Sequence, residues 1–187
     1  MQVRRLAPLA LLAMLALPAC KPPPADASSA RAANLTSTPG PSEPLPSPEV
    51  EGAIWAVSAK PERLVYGIPG KPVLVALECL DAATPEARLR ITRHAPADRG
   101  AGALLAVIGN GYIGRFEVDA TTIGKARMWR GEAPALAQGW NALDGLREAT
   151  VTVPGAGLVR LSPSTLPGQL IEACRKVDPP ASPIAPA

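Results

Sequence analysis

The stretch Ala103-Leu104-Leu105-Ala106-Val107-Ile108-Gly109-Asn110-Gly111-Tyr112-Ile113-Gly114-Arg115-Phe116-Glu117-Val118-Asp119 decides between two folds. Gly109 to Gly114 is a literal GxGxxG behind an apolar run. In a dinucleotide-binding unit that loop must open a helix, because the helix N-terminus holds the pyrophosphate. Here the next residues, Arg115-Phe116-Glu117-Val118-Asp119-Ala120-Thr121-Thr122, include β-branched and aromatic side chains and no helix cap, so they read as a strand. No second βαβ unit follows in which to place a ribose-binding acid. Asn110-Gly111 between two strands is instead a hairpin signal, since both residues tolerate positive φ. The expectation is an antiparallel hairpin, Ala103–Gly109 and Tyr112–Asp119, with no nucleotide or other cofactor.

Working outward, short apolar runs broken by Gly, Pro and Asp recur from residue 51 to residue 177. Further strands are expected at Ala53–Ala59, Arg63–Tyr66, Pro72–Cys79, Ala87–Arg93, Lys125–Arg130, Ala149–Val153 and Leu158–Leu161. Many short strands at such spacing predict a mostly β fold, an antiparallel sandwich or small barrel. Within Ala87-Arg88-Leu89-Arg90-Ile91-Thr92 the apolar residues alternate with period two, which sends them to the core and the arginines to water. Two helices are expected. Asn141–Arg147 is short and weakened by Gly145. The C-terminal one has Ser164 or Thr165 as cap and Pro167 in its first turn, with Leu166, Leu170, Ile171 and Cys174 on one face. Arg175 and Lys176 suit its C-terminal dipole, and Asp178-Pro179-Pro180 stops it.

Flanking segments differ in composition. Eight prolines fall in residues 21–50 and four in 178–187, with no aromatic residue in either, so both are expected to be disordered. The first is a polyproline-rich tether and the second a tail. Lys plus Arg is 19 against 16 for Asp plus Glu, a net charge of +3, too mild to argue for nucleic acid.

At the N-terminus, Arg4 and Arg5 precede the apolar run Leu6–Leu17, which is followed by Leu17-Pro18-Ala19-Cys20. This is the layout of a secretory signal over residues 1–19, and the run is short for a membrane span. Leu17–Cys20 resembles a bacterial lipobox, with Pro18 where that pattern usually has a small residue. The resemblance implies a lipidated Cys20, and Lys21 after it implies the periplasmic face of the outer membrane. A conventional cut near the same place would instead release a soluble periplasmic protein. More than one acyl chain is needed for stable anchoring, and the lipoprotein pattern supplies several.

With Cys20 committed to lipid, Cys79 and Cys174 remain. In an oxidising compartment an even pair is most simply a disulfide, the alternative being two separate buried thiols. Two cysteines with His94 as the single histidine are too few for a zinc site, and no metal is expected.

Four elements of the globular part, Leu64-Val65-Tyr66-Gly67, Val151-Thr152-Val153-Pro154-Gly155, Leu161-Ser162-Pro163-Ser164 and Ile171-Glu172-Ala173-Cys174-Arg175, together resemble a group of small envelope proteins of sphingomonads and related alphaproteobacteria. The resemblance spans most of 51–177. It supports the fold and the compartment and carries over no functional residue.

No catalytic set is nominated. His94 lies in Thr92-Arg93-His94-Ala95-Pro96-Ala97-Asp98, which reads as a surface loop, and no G-x-S-x-G or S-x-x-K accompanies it. Glu117, Asp119, Asp144 and Glu148 are scattered. Arg88, Arg90 and Arg93 are candidates for a basic stripe, with Arg115, Arg127 and Arg130 elsewhere, able to meet anionic lipopolysaccharide or peptidoglycan. A solvated sheet face is the plainer account of the same residues. The function expected is a lipid-anchored, non-enzymatic interaction or structural module of the envelope, with another envelope protein or a cell-wall component as partner. An inhibitor of a cell-wall hydrolase and a cryptic envelope hydrolase are the alternatives.

Overall fold

A computed structural model describes residues 42–176. The expected signal segment, Cys20 and the tether up to residue 41 lie outside the described residues, as does the tail from residue 177.

Nine antiparallel strands form one sheet: β1 (Ile54–Val57), β2 (Arg63–Gly67), β3 (Val75–Leu80), β4 (Arg88–Pro96), β5 (Gly102–Gly109), β6 (Tyr112–Ile123), β7 (Ala126–Pro134), β8 (Ala149–Thr152) and β9 (Leu158–Leu161). Their order is β1-β2-β3-β4-β7-β6-β5-β8-β9, so two non-sequential pairings, β4 with β7 and β5 with β8, curl the sheet into a nearly closed barrel. A side-chain seam bridges the remaining gap. Ser162, just past β9, donates its N–H to Tyr66 Oη at 3.0 Å and its hydroxyl to the Ala53 carbonyl at 3.2 Å. Among the described residues one α-helix, α1 (Leu166–Arg175), packs across β1 to β4.

The expected hairpin is present. β5 pairs with β6 from Gly102↔Asp119 to Gly109↔Tyr112. Asn110 and Gly111 turn it with φ of 50° and 81°, the left-handed pair of a two-residue hairpin loop. Period two then sorts β6, with Gly114, Phe116 and Val118 buried and Ile113, Arg115, Glu117 and Asp119 exposed. The outer glycines of the motif have packing roles. A Cβ on Gly109 would come within 2.5 Å of the Ala142 carbonyl oxygen, and one on Gly114 within 2.7 Å of that of Gly139.

Between β7 and β8 the expected helix over Asn141–Arg147 is replaced by a 3-10 helix over Gln138–Leu143. Its three-residue repeat buries Trp140 and Leu143 together. Trp140 stacks on Phe116 at 3.9 Å between ring centroids and donates its indole N–H to the Pro134 carbonyl at 3.0 Å. Gly139 lies close against Gly114, where a Cβ would come within 2.8 Å of the Gly114 Cα.

In α1, Ile171 and Cys174 are buried, while Leu166 and Leu170 pack against the core from its margin. Ser164 Oγ accepts from the Leu166 N–H, and Thr165 makes no side-chain cap. Cys174 is bonded to Cys79 at the end of β3, so the disulfide ties α1 to the barrel across 95 residues of sequence. Arg175 does more than face the helix dipole. It donates to the carbonyls of Ala135 and Ala137 and to Asn141 Oδ1.

The disorder expected for residues 20–50 does not extend over 42–50. That segment lies along the barrel as a strap. The Leu45 N–H donates to the Gly155 carbonyl at 2.8 Å, the Leu158 N–H to Ser47 Oγ at 3.0 Å, and Val50 packs on the core. Prolines bar it from regular ladders but leave its carbonyls, its remaining N–H groups and its apolar rings free to dock.

Candidate functional site

The three arginines expected to share a stripe divide between the two faces of β4. Arg88 and Arg90 alternate with the buried Leu89 and Ile91 and stand on the outer face. Arg93 has the opposite parity. It pairs in register with Val75 and Trp129, is 3% exposed, and lies inside the barrel. The stripe reading is therefore corrected at Arg93. The signal was present in the sequence, since a strand that points Leu89 and Ile91 inward also points residue 93 inward.

On the outer face a row of alternating charge crosses β2, β3, β4 and β7 through the register pairs Arg63↔Glu78, Glu78↔Arg90 and Arg90↔Glu132. Arg90 directs Nε and Nη2 to Glu132 Oε1 at 2.7 and 2.6 Å, and its Nη1 lies 3.8 Å from Glu78. Lys60 donates to Glu78, Arg63 lies 4.0 Å from it, and Arg88 lies 3.6 Å from Glu132. The stems of these long side chains cover the sheet. That is why Ala76, Glu78 and Thr92 are buried although they point outward. Arg130 completes the group, with Nε 3.3 Å from Thr92 Oγ1. Five cations, Lys60, Arg63, Arg88, Arg90 and Arg130, thus lie among three carboxylates, Glu78, Glu132 and Asp119, the last the register partner of Arg130 on β6.

His94 belongs to this face and not to a loop, because β4 runs on to Pro96. Burial first, then Arg63, Arg130 and Arg93, pull its pKa down to about 4, and its Nε2 is buried without a partner. Burial and then Arg90 also lower the pKa of Arg130. Two groups on one face thus feel neighbouring positive charge.

The remaining candidates are dispersed. Arg115, Glu117 and Asp119 project outward from β6, Arg127 lies near the β6–β7 turn, Asp144 follows the 3-10 helix, and Glu148 precedes β8. Among the described residues no three His, Cys, Asp or Glu side chains gather in a metal-binding arrangement. The outer side of β5 and the hairpin end of β6 differ from the charged face, since Leu104, Ile108 and Ile113 stand exposed there.

At the end of the barrel away from α1 lies a cleft of about 510 Å³. Its walls come from the strap (Ser42 to Leu45), the β4–β5 connection (Pro96, Ala97, Asp98, Ala101), the β8–β9 turn (Pro154, Gly155) and Trp129. Ser42 latches the strap by donating its N–H and hydroxyl to the Asp98 carboxylate at 2.9 and 2.5 Å. Those two bonds, the hydroxyl's first, hold the Asp98 carboxyl below its usual range. Nothing in the sequence pattern signalled this cleft, because it is assembled from four separated segments.

The chain matches none of the family models, curated proteins or solved structures with which it was compared.

Proposed function

We propose that this chain works in the bacterial envelope as a lipid-anchored, non-enzymatic interaction module whose charged barrel face engages an anionic envelope polymer. Tethering rests on the lipobox-like Leu17–Cys20. Binding rests on one observation, the excess of five cations over three carboxylates, Glu78, Glu132 and Asp119, on a single sheet face. Glu78 and Glu132 hold the guanidinium groups in place, so a polyanion meets preorganised donors and less side-chain entropy is lost on contact. Arginine forks suit phosphate and carboxylate oxygens, which both lipopolysaccharide and peptidoglycan present.

The test uses purified full-length protein with lipopolysaccharide vesicles in one arm and peptidoglycan sacculi in the other. Retention in one arm that weakens with salt, and that is lost in Lys60→Glu/Arg88→Glu, is the expected result. Equal retention of that variant, or no retention in either arm, refutes the binding. Tethering is tested separately. Mass spectrometry of the membrane fraction should find Cys20 as an acylated N-terminus, and Cys20→Ser should release the protein. A mature chain that keeps residues 1–19 refutes it.

A further inference from the structure

The cleft end of the barrel holds two polar groups that the charged face does not use. Arg93 and Trp129 are register partners on the inner face, 3% and 7% exposed. Arg93 Nη1 donates to the carbonyls of Leu74 and His94, each at 3.2 Å, and Nη2 to that of Ala156 at 2.9 Å. Its Nε has no acceptor, and neither has the indole Nε1 of Trp129. Arg93 forms no ion pair among the described residues. Burial lowers its pKa to about 10, which leaves it protonated at neutral pH. A buried cation balanced only by carbonyl dipoles is costly, and an orphaned donor beside it adds to the cost. One anionic acceptor would relieve both.

Trp129 also lines the cleft, whose volume of about 510 Å³ is that of a small-molecule site. Much of the remaining wall is apolar, from Pro44, Leu45, Pro96 and Pro154. Glu43 and Asp98 stand at the cleft as well, so an anionic head is repelled from them and is favoured only beside Arg93. A single uncompensated positive charge calls for a monoanion. A dianionic phosphate would leave surplus negative charge in a site shut off from water.

We propose that this cleft binds a small amphipathic carboxylate, a fatty acid in chemical class, with its head between Arg93 Nε and Trp129 Nε1 and its chain along the proline-lined wall. Both donors are sealed from solvent, so the head reaches them when the strap lifts. At the cleft the strap is held by the Ser42 latch on Asp98 and the Leu45–Gly155 bond. The site is independent of the charged face, so either proposal can fail without the other.

The experiment titrates the full-length chain with decanoate, 1-decanol and decyltrimethylammonium below their micellar concentrations, read by calorimetry and tryptophan fluorescence. Decanoate should bind about tenfold more tightly than decanol, and the cation least tightly. Arg93→Gln should bring decanoate to the level of decanol. Ala101→Trp fills the cleft from its wall while leaving Arg93 itself unchanged, and should block both decanoate and decanol. Trp129→Phe keeps an aromatic ring in the wall, loses the indole donor, and should weaken decanoate more than decanol. These last two variants carry the test if Arg93→Gln does not fold. Equal affinity for the three ligands, no binding at all, or decanoate binding that survives Ala101→Trp overturns the proposal.

Discussion

The two ends of the barrel use the same residue types to opposite effect. At the α1 end, Trp140 is fully buried, stacks on Phe116 and gives its indole N–H to Pro134. Arg175 there spends its donors on two carbonyls and Asn141, and the Cys79–Cys174 bond locks the helix down. At the cleft end, Trp129 and Arg93 are nearly as buried, yet each keeps an open donor. A four-residue stretch of strap stands where the other end has a helix. Burial is therefore not what separates them. One end has completed its hydrogen bonding within the chain, and the other has capacity left for something outside it.

The largest expected effect lies at the completed end. In the chain-entropy view, closing so long a loop stabilises by roughly 4–5 kcal/mol, and measured values are often lower. Cys79→Ser should therefore lower the melting temperature sharply, and a reductant should do the same to the wild type. Unchanged melting under reduction would mean that α1 holds its place by packing alone.

The second test sets the tryptophans against each other. Trp140→Phe strands the Pro134 carbonyl in a buried site and should cost about 1–3 kcal/mol. Trp129→Phe removes a donor that has no partner, so its cost should be smaller. Equal losses in denaturant melts would erase the distinction between the ends.

A third test uses pH near the cleft end. The folded-state pKa of His94 is about 4 against an ordinary 6.5, so within that window the unfolded chain binds the extra proton. Stability should be whole above about pH 6.5 and fall as the pH drops toward 4. His94→Gln should flatten that part of the profile. A variant with the same acid limb as wild type would show that His94 is not the group responsible.

The smallest effect belongs to the hairpin. Gly111 sits at φ 81° with open space around it, so Gly111→Ala should cost only strain, about 1 kcal/mol. Gly114→Ala, which meets the Gly139 carbonyl and the Phe116 ring, should cost more. The reverse order, measured by thermal melts, would mean that the Gly114–Gly139 contact gives way easily.

Much of the local structure is legible in the residues because it depends on near neighbours. Asn110-Gly111 sets a turn through its own backbone preferences, and period two marks which side chains of β6 are buried. The pairing of Cys79 with Cys174 is the simpler of the two readings their parity allows, and the structure decides it against two separate thiols. Arg93 was readable too, but treating Arg88, Arg90 and Arg93 as a stripe overrode the parity of the strand. His94 differs, since β4 continues past it to Pro96 through the irregularity between Arg93 and Pro96, which local pattern does not announce.

By itself the sequence determined nine strands, a C-terminal helix and one hairpin turn, which follow from short-range periodicity and turn chemistry, and it made a Cys79–Cys174 bond the simpler of two readings. Only the tertiary structure decided that β4 pairs with β7 and β5 with β8, that residues 42–45 strap one end, and that Trp129 and Arg93 are left with open donors there. Alternation tells a strand which face is inward and says nothing about which strand lies beside it. That choice depends on how all the side chains fill one barrel at once, and the cleft follows from it.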